Sequence, residues 1–158
     1  MRPERSAVLV TGAIAGLIGS VVVAVLFLIL NLFRGLPVLG TAAALGTALF
    51  GIPATDIVPA AIAYNGVHVA VALVAGIGAS FLMMEIEVHP VAWYAGFFAY
   101  VSALLVGFVV VGMLAVDVAG AASWVEVMAA NVLAAGSMGW YLWKAHPELQ
   151  KTLTRAPD

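Results

Sequence analysis

The stretch Asp56–Met84, DIVPAAIAYNGVHVAVALVAGIGASFLMM, is a long apolar run that begins with an acidic residue. At about 1.5 Å per residue, a helix of this length exceeds the roughly 30 Å hydrocarbon core of a bilayer and can cross it with some tilt. Thr55 and Asp56 are candidate N-cap residues, and Pro59 suits a first helical turn, where its missing N–H has no partner to lose. The stretch therefore predicts a transmembrane helix over residues 57–84.

One face of this predicted helix combines polar and small side chains. Five of them follow i, i+4 spacing: Tyr64, His68, Ala72, Gly76 and Ser80. Asn65 lies three residues before His68 and shares that face. Polar side chains avoid lipid because they need hydrogen-bond partners, and small ones allow another helix to approach closely. We expect this face to point into the protein.

The composition of the chain is that of an integral membrane protein. Hydrophobic residues make up 65% of it and charged residues 9%, with a mean hydropathy of +1.15. So few charges cannot cover a water-soluble surface. A net charge of -2 without a basic patch argues against a nucleic-acid partner. With no cysteine, disulfides, thiolate metal sites and cysteine nucleophiles are excluded.

Three more apolar segments are long enough to span a bilayer: residues 7–33, 91–116 and 124–144. The first exceeds the 7 to 15 residues of a secretory signal segment, so we expect an uncleaved helix. Residues 36–51 are apolar but too short and glycine-rich to span alone, which indicates a re-entrant or interfacial helix.

The predicted fold is therefore all-α and integral to a membrane. Four transmembrane helices form an up-down bundle, and the short helix 36–51 lies between helices 1 and 2. The chain forms a single membrane domain, residues 1–158, with a C-terminal tail over residues 145–158.

Small residues recur at every fourth position in the other three long segments. The rows are Gly12, Gly16, Ser20 and Ala24 in the first, Ala99, Ala103 and Gly107 in the third, and Asn131, Ala135 and Gly139 in the fourth. Such small-xxx-small rows let helix backbones come close. For the first row, packing within the chain is favoured over a dedicated dimer face.

Two acidic motifs need a choice between structural and chemical roles. Ser123-Trp124-Val125-Glu126 has the pattern of a capping box, which favours Glu126 as a helix cap over an intramembrane acid. Glu85, Glu87 and His89 alternate at period two and could converge on a metal only in an extended loop. A solvent-exposed turn explains these three residues without a metal ion, so no metal site is predicted.

The positions of the basic residues predict the orientation of the chain in the membrane. Arg2, Arg5, Lys144, Lys151 and Arg155 flank the termini, whereas Arg34 falls on the opposite side. The positive-inside rule then places both termini in the cytoplasm, and the chain is expected in a prokaryotic inner membrane.

In this frame four polar side chains share the outer half of the bundle: Tyr64, Asn65, His68 and Asn131. Asn65 and His68 lie about 12 and about 17 Å from the outer end of their helix, and Asn131 lies about 10 Å along its own. They form a polar intramembrane cluster if helices 2 and 4 are neighbours or diagonal partners.

Three hypotheses account for such a cluster. It can be structural, since neutral polar residues are tolerated in lipid when they hydrogen-bond across helices. His68 can be an axial haem or metal ligand, completed by another subunit. The chain can also be a small oligomeric transporter or channel with these four residues along a polar path.

The structural hypothesis is favoured, since the sequence carries no nucleotide motif and no nucleophile constellation. The predicted function is a non-catalytic accessory or structural subunit, or assembly partner, of a larger membrane complex such as an electron-transfer complex. Its partners are then the lipid bilayer and other membrane subunits or a second copy. No cofactor is required, and a haem at His68 is the cofactor alternative.

Overall fold

The computed structural model describes residues 5–89 and 93–147, and the regular structure in those ranges is entirely helical. In chain order the helices are α1 (Arg5–Phe33), α2 (Gly40–Phe50), α3 (Ile57–Val88), α4 (Trp93–Gly112) and α5 (Trp124–Ala145). A π-helical turn, Met113–Val118, continues α4. The predicted all-α fold with a short helix between the first two long ones is confirmed.

Three stretches are long and apolar enough to cross a membrane: Ser6–Phe33, Ile57–Val88 and Tyr94–Val118. The helix α5 has 22 residues but is not among them. The structure thus supports a membrane protein with three spanning helices and the short apolar helix α2. Three of the four predicted spans are helices long and apolar enough to cross a membrane, and the fourth, residues 124–144, is helical but is not one of those three.

The long helices alternate in direction. Gly16 of α1 lies against Ala72 of α3, while Gly12 lies against Gly76, so these two helices are antiparallel. Around the bundle the order is α3, α1, α5, α4, because α1 packs extensively on both α3 and α5 while α3 and α5 barely touch. The helix α4 packs mainly on α5, and it meets α3 near their connection, where Gly96 lies against Ile86.

Backbone contact between α1 and α3 depends on the small residues of both helices. A Cβ atom added to Gly12, Gly16 or Gly76 would overlap the backbone of the opposite helix. Ser20 and Ser80 are also buried. The prediction that the first small-residue row packs within the chain is therefore confirmed for Gly12 and Gly16, and the α3 row points into the protein as expected.

The short helix α2 lies across the end of α3. Gly46 of α2 is so close to the backbone of Ala60 that no side chain fits between them. Nearby, Leu45 is buried with Ala115 of the π-helical turn and Val127 of α5. These contacts close one end of the bundle, which we call the Arg34 end.

Two helix boundaries differ from the predictions. Asp56 stands at the N-cap position of α3, but its side chain makes no capping hydrogen bond. The predicted acidic turn at Glu85 and Glu87 is instead the last turn of α3, which continues to Val88. The His89 amide still donates to the Glu85 carbonyl at 2.9 Å, so local i to i−4 bonding carries the helix past its apolar part.

The predicted capping box at the start of α5 is confirmed. The Ser123 amide donates to Glu126 Oε2 at 2.7 Å, and the Glu126 amide donates to Ser123 Oγ at 3.4 Å. Glu126 also pairs with Arg34, which follows α1. Both interactions hold this carboxylate at the helix start, as a cap with a cationic partner.

Candidate functional site

A cavity of about 190 Å³ lies between α1, α2 and α3, close to the Arg34 end. Its polar lining comes from three places: Asn31 near the end of α1, Thr41 in the first turn of α2, and Tyr64, Asn65 and His68 on α3. The remaining lining is apolar and comprises Val23, Ala24, Val25, Phe27, Leu28, Val38, Leu39, Ala42 and Leu45. This cavity is the candidate site.

Asn31 and Thr41 form a buried pair at one end of the cavity. The Thr41 hydroxyl donates to Asn31 Oδ1 at 2.9 Å, and Asn31 Nδ2 donates to the Val38 carbonyl at 3.1 Å. Asn31 is 1% exposed and Thr41 5%. The pair therefore joins the end of α1 to the connection before α2 and to the start of α2.

Neither residue of this pair was among the predicted site residues. Asn31 is an amide inside the apolar segment 7–33, and an amide in such a segment favours a buried hydrogen bond. That signal could have identified Asn31. Thr41 is a small polar residue of the kind that can line a pore mouth, but a threonine in a membrane helix can also bond its own backbone, and the sequence favours that interpretation.

Tyr64 and His68 lie one turn apart and stack, with ring centroids 5.8 Å apart and planes 20° from parallel. His68 Nε2 is buried without a hydrogen-bond partner. The imidazole lies against the backbone of Ser20 on α1, without a hydrogen bond of good geometry. His68 thus lies between α1 and α3 at the edge of the cavity.

The Asn65 side chain forms one hydrogen bond within its own helix. Its Nδ2 donates to the Ala61 carbonyl at 2.8 Å, whereas its Oδ1 has no hydrogen bond to any other residue in the described part of the chain. The Tyr64 hydroxyl likewise has no hydrogen bond to another described residue, while the Tyr64 ring stacks on His68 and packs against the buried cluster of Leu45, Ala115 and Val127. Both Tyr64 and Asn65 line the cavity and have unused hydrogen-bonding capacity.

The structure brings three of the four predicted cluster residues together and separates the fourth. Tyr64, Asn65 and His68 line the cavity, but Asn131 does not. Asn131 is on α5, and α1 lies between α5 and α3. The cavity is lined by Asn31 and Thr41 in addition to the three α3 residues, and not by Asn131.

Within one chain, the cavity ends where α1 and α3 touch. One turn beyond His68, Ala72 meets Gly16 in backbone contact, which leaves no room for a path between the two helices. A polar path from the cavity therefore cannot continue between α1 and α3.

The acidic residues near the other end of α3 form pairs and not a cluster. Glu85 pairs with His89 at 3.5 Å, and Glu87 pairs with His146, just after α5, at 3.1 Å. We call this the His146 end. In residues 5–89 and 93–147, no three His, Cys, Asp or Glu side chains are grouped so that they could hold a metal ion.

The chemistry available at the cavity is hydrogen bonding and apolar contact. None of its lining residues carries a formal charge, and His68 is the one that offers a metal-ligating nitrogen. Among the described residues, neither hydroxyl of the lining, Thr41 or Tyr64, is hydrogen-bonded to His68. Comparisons of the chain with protein-family models, with curated protein sequences and with solved structures found no match.

Proposed function

We propose that the chain is a non-catalytic accessory subunit of a larger membrane complex. In this proposal α5 is a fourth membrane span, with Glu126 and Lys144 at its two ends. Both termini lie in the cytoplasm of a prokaryotic cell, and Arg34 lies on the outer side, where Glu126 neutralises it.

The observation that carries this proposal is an unused small-residue row on α4. Ala99 and Ala103 are exposed, and nothing lies within 4 Å of the position that a Cβ of Gly107 would occupy. The comparable rows of α1 and α3 are used for close packing within the chain. A row of this kind gains nothing from facing lipid, whereas a partner helix can approach it closely.

The loose attachment of α4 supports the same proposal. Its described contacts with α5 include a hydrogen bond from the Tyr100 hydroxyl to the Ala135 carbonyl at 3.1 Å and an edge-on contact of Phe108 with Trp124, with centroids 5.4 Å apart. Gly112 also lies against the Trp124 ring, but α4 packs on α5 less extensively than α1 does. Large apolar side chains on its outer faces are well exposed, among them Phe98 at 66% and Val106 at 63%. A partner helix against α4 would add the packing that this chain does not supply.

Gentle detergent extraction followed by native mass analysis tests the proposal. We expect a complex heavier than one chain. Ala103→Leu should lower its recovery about tenfold, since a bulky side chain in the row opposes close approach, and tenfold corresponds to about 1.4 kcal/mol. The matched control is Ala70→Leu on the exposed face of α3, which should leave recovery unchanged. A single-chain mass from the native membrane would contradict the subunit role.

A second candidate function rests on the unpartnered Nε2 of His68. A neutral imidazole nitrogen of this kind can bind a haem iron or another metal, with a second ligand from a neighbouring subunit. The other two histidines, His89 and His146, lie at the opposite end of the bundle and cannot supply it. An absorbance spectrum of the native assembly tests this function, and a spectrum without a Soret band would rule out haem.

A further inference from the structure

We infer that the cavity between α1, α2 and α3 binds the head of an uncharged, hydroxyl-bearing amphiphile that enters from the membrane. This inference goes beyond the proposed subunit role and does not depend on it. It rests on the unused hydrogen-bonding groups of the cavity, on the absence of charge in its lining, and on the apolar residues at its edge.

The unused groups call for a hydrogen-bonding occupant. Tyr64 and Asn65 line the cavity, and neither the Tyr64 hydroxyl nor Asn65 Oδ1 has a hydrogen bond to another described residue. Water is scarce in a bilayer core, so unpaired polar groups there are unfavourable. A hydroxyl both donates and accepts, and it can therefore satisfy the Asn65 oxygen and the Tyr64 hydroxyl together.

The lining determines the charge and size of the occupant. All fourteen lining residues are formally uncharged, so an ionic head would lose its hydration without gaining a counter-charge. About 190 Å³ exceeds the roughly 30 Å³ share of a single water molecule. The space suits a small head group and is too small for a whole lipid.

The edge of the cavity indicates the route of entry. Four apolar lining residues are each 39% to 46% exposed: Val25, Leu28, Val38 and Leu39. Two are on α1 and two precede α2, so the opening between these segments is apolar. An occupant whose polar head reaches Asn65 would leave its apolar body among these side chains and the surrounding lipid.

Photolabelling of the full chain in phosphatidylcholine nanodiscs tests this inference. The probe is a twelve-carbon alcohol with a diazirine near the hydroxyl, and its control is the same diazirine alkane without the hydroxyl. We expect the alcohol to label peptides around the cavity, detected by mass spectrometry, at least fivefold more than the alkane, which is the effect of about one hydrogen bond.

Variants separate specific binding from general lipid contact. Asn65→Leu and Tyr64→Phe should each reduce cavity labelling about fivefold. Asn131→Leu is the matched control, because Asn131 does not line the cavity, and labelling should not change. Circular dichroism and gel filtration of each variant verify that it folds, and Ala42→Phe, which fills the cavity from α2, should abolish the labelling.

Competition with unlabelled compounds shows whether the hydroxyl-bearing ligand enters from the membrane or from the buffer. Excess dioleoylglycerol should suppress labelling, whereas excess glycerol in the buffer should not. Suppression by glycerol alone would overturn entry from the membrane. Equal labelling by the alcohol and the alkane, or equal loss in Asn65→Leu and Asn131→Leu, would overturn the hydroxyl site.

Discussion

The contact between α1 and α3 has two halves that differ in kind. Toward the His146 end, Gly12 and Gly16 bring α1 against the backbone of α3 at Gly76. Toward the Arg34 end, Tyr64 and His68 line a cavity of about 190 Å³ that the same two helices form with α2. The same helix pair is thus close-packed where its facing residues are small and open where they are large and polar.

The two halves of this contact should therefore differ in how well they tolerate substitutions. In the close-packed half, each backbone contact depends on the absence of a side chain, so substitutions there should be poorly tolerated. In the open half, space and unused polar groups allow substitutions and a ligand. Four predictions test the comparison, in order of decreasing effect.

The largest effect is expected for Gly16→Leu. The new side chain would overlap the backbone at Ala72, and the two helices would have to separate, at a loss of about 3 kcal/mol in the free energy of unfolding. Thermal or denaturant unfolding in detergent measures this loss. Gly66→Leu on α3 is the control, since nothing lies within 4 Å of that position. Similar losses for both variants would refute the close-packed contact.

Asn31→Leu should have the next largest effect, about 2 kcal/mol. It leaves the buried Thr41 hydroxyl and the half-buried Val38 carbonyl without their partner. Asn65→Leu should lose less, because Asn65 bonds within its own helix. Unfolding of Asn31→Leu, Thr41→Val and the double variant measures the coupling, and purely additive losses would show that the pair does not interact.

Ala42→Leu should change the stability by less than about 1 kcal/mol, since the added carbon atoms enter the cavity. The same substitution at Ala15, which is 0% exposed on α1, should destabilise the protein by about 2 kcal/mol through overpacking. Parallel unfolding of the two variants measures the contrast. Equal losses would mean that the cavity side of α2 is as tightly packed as the buried face of α1.

The smallest effect, about 0.5 kcal/mol, is expected for Arg34→Gln. Its ion pair with Glu126 is partly open to solvent, with 40% of the arginine side chain exposed, and such pairs contribute little. The capping box of Glu126 with Ser123 stays intact. Unfolding at low and high salt checks this prediction, because added salt should remove most of the difference. A loss above about 2 kcal/mol would indicate that the pair fastens the Arg34 end.

The predictions from sequence succeeded where the signal was local. Apolar length located the long helices, and the small residues at i, i+4 spacing on α1 and α3 identified the faces that pack. The capping box at Ser123 was found because its residues interact within one turn. These features depend on neighbours in the chain, so a pattern of residues is sufficient to identify them.

The predictions were incomplete where the signal depended on distant segments. Asn131 has the depth to join Tyr64 and His68, but depth along a helix does not determine which helices are adjacent. In the structure, α1 lies between α3 and α5. The residues that form a polar pair at the cavity are instead Asn31 of α1 and Thr41 of α2. Small-residue rows allow many pairs of helices to approach, and the total packing of all of them selects the pairs that form.

The sequence by itself determined that this protein is helical and apolar enough for a membrane, because hydropathy and periodicity are properties of single segments. It also determined the close-packing faces of α1 and α3. The tertiary structure alone decided that these faces meet, that α1 separates α3 from α5, and that α2 covers a polar cavity. These outcomes depend on how the surfaces of several helices fit together, which no single segment encodes.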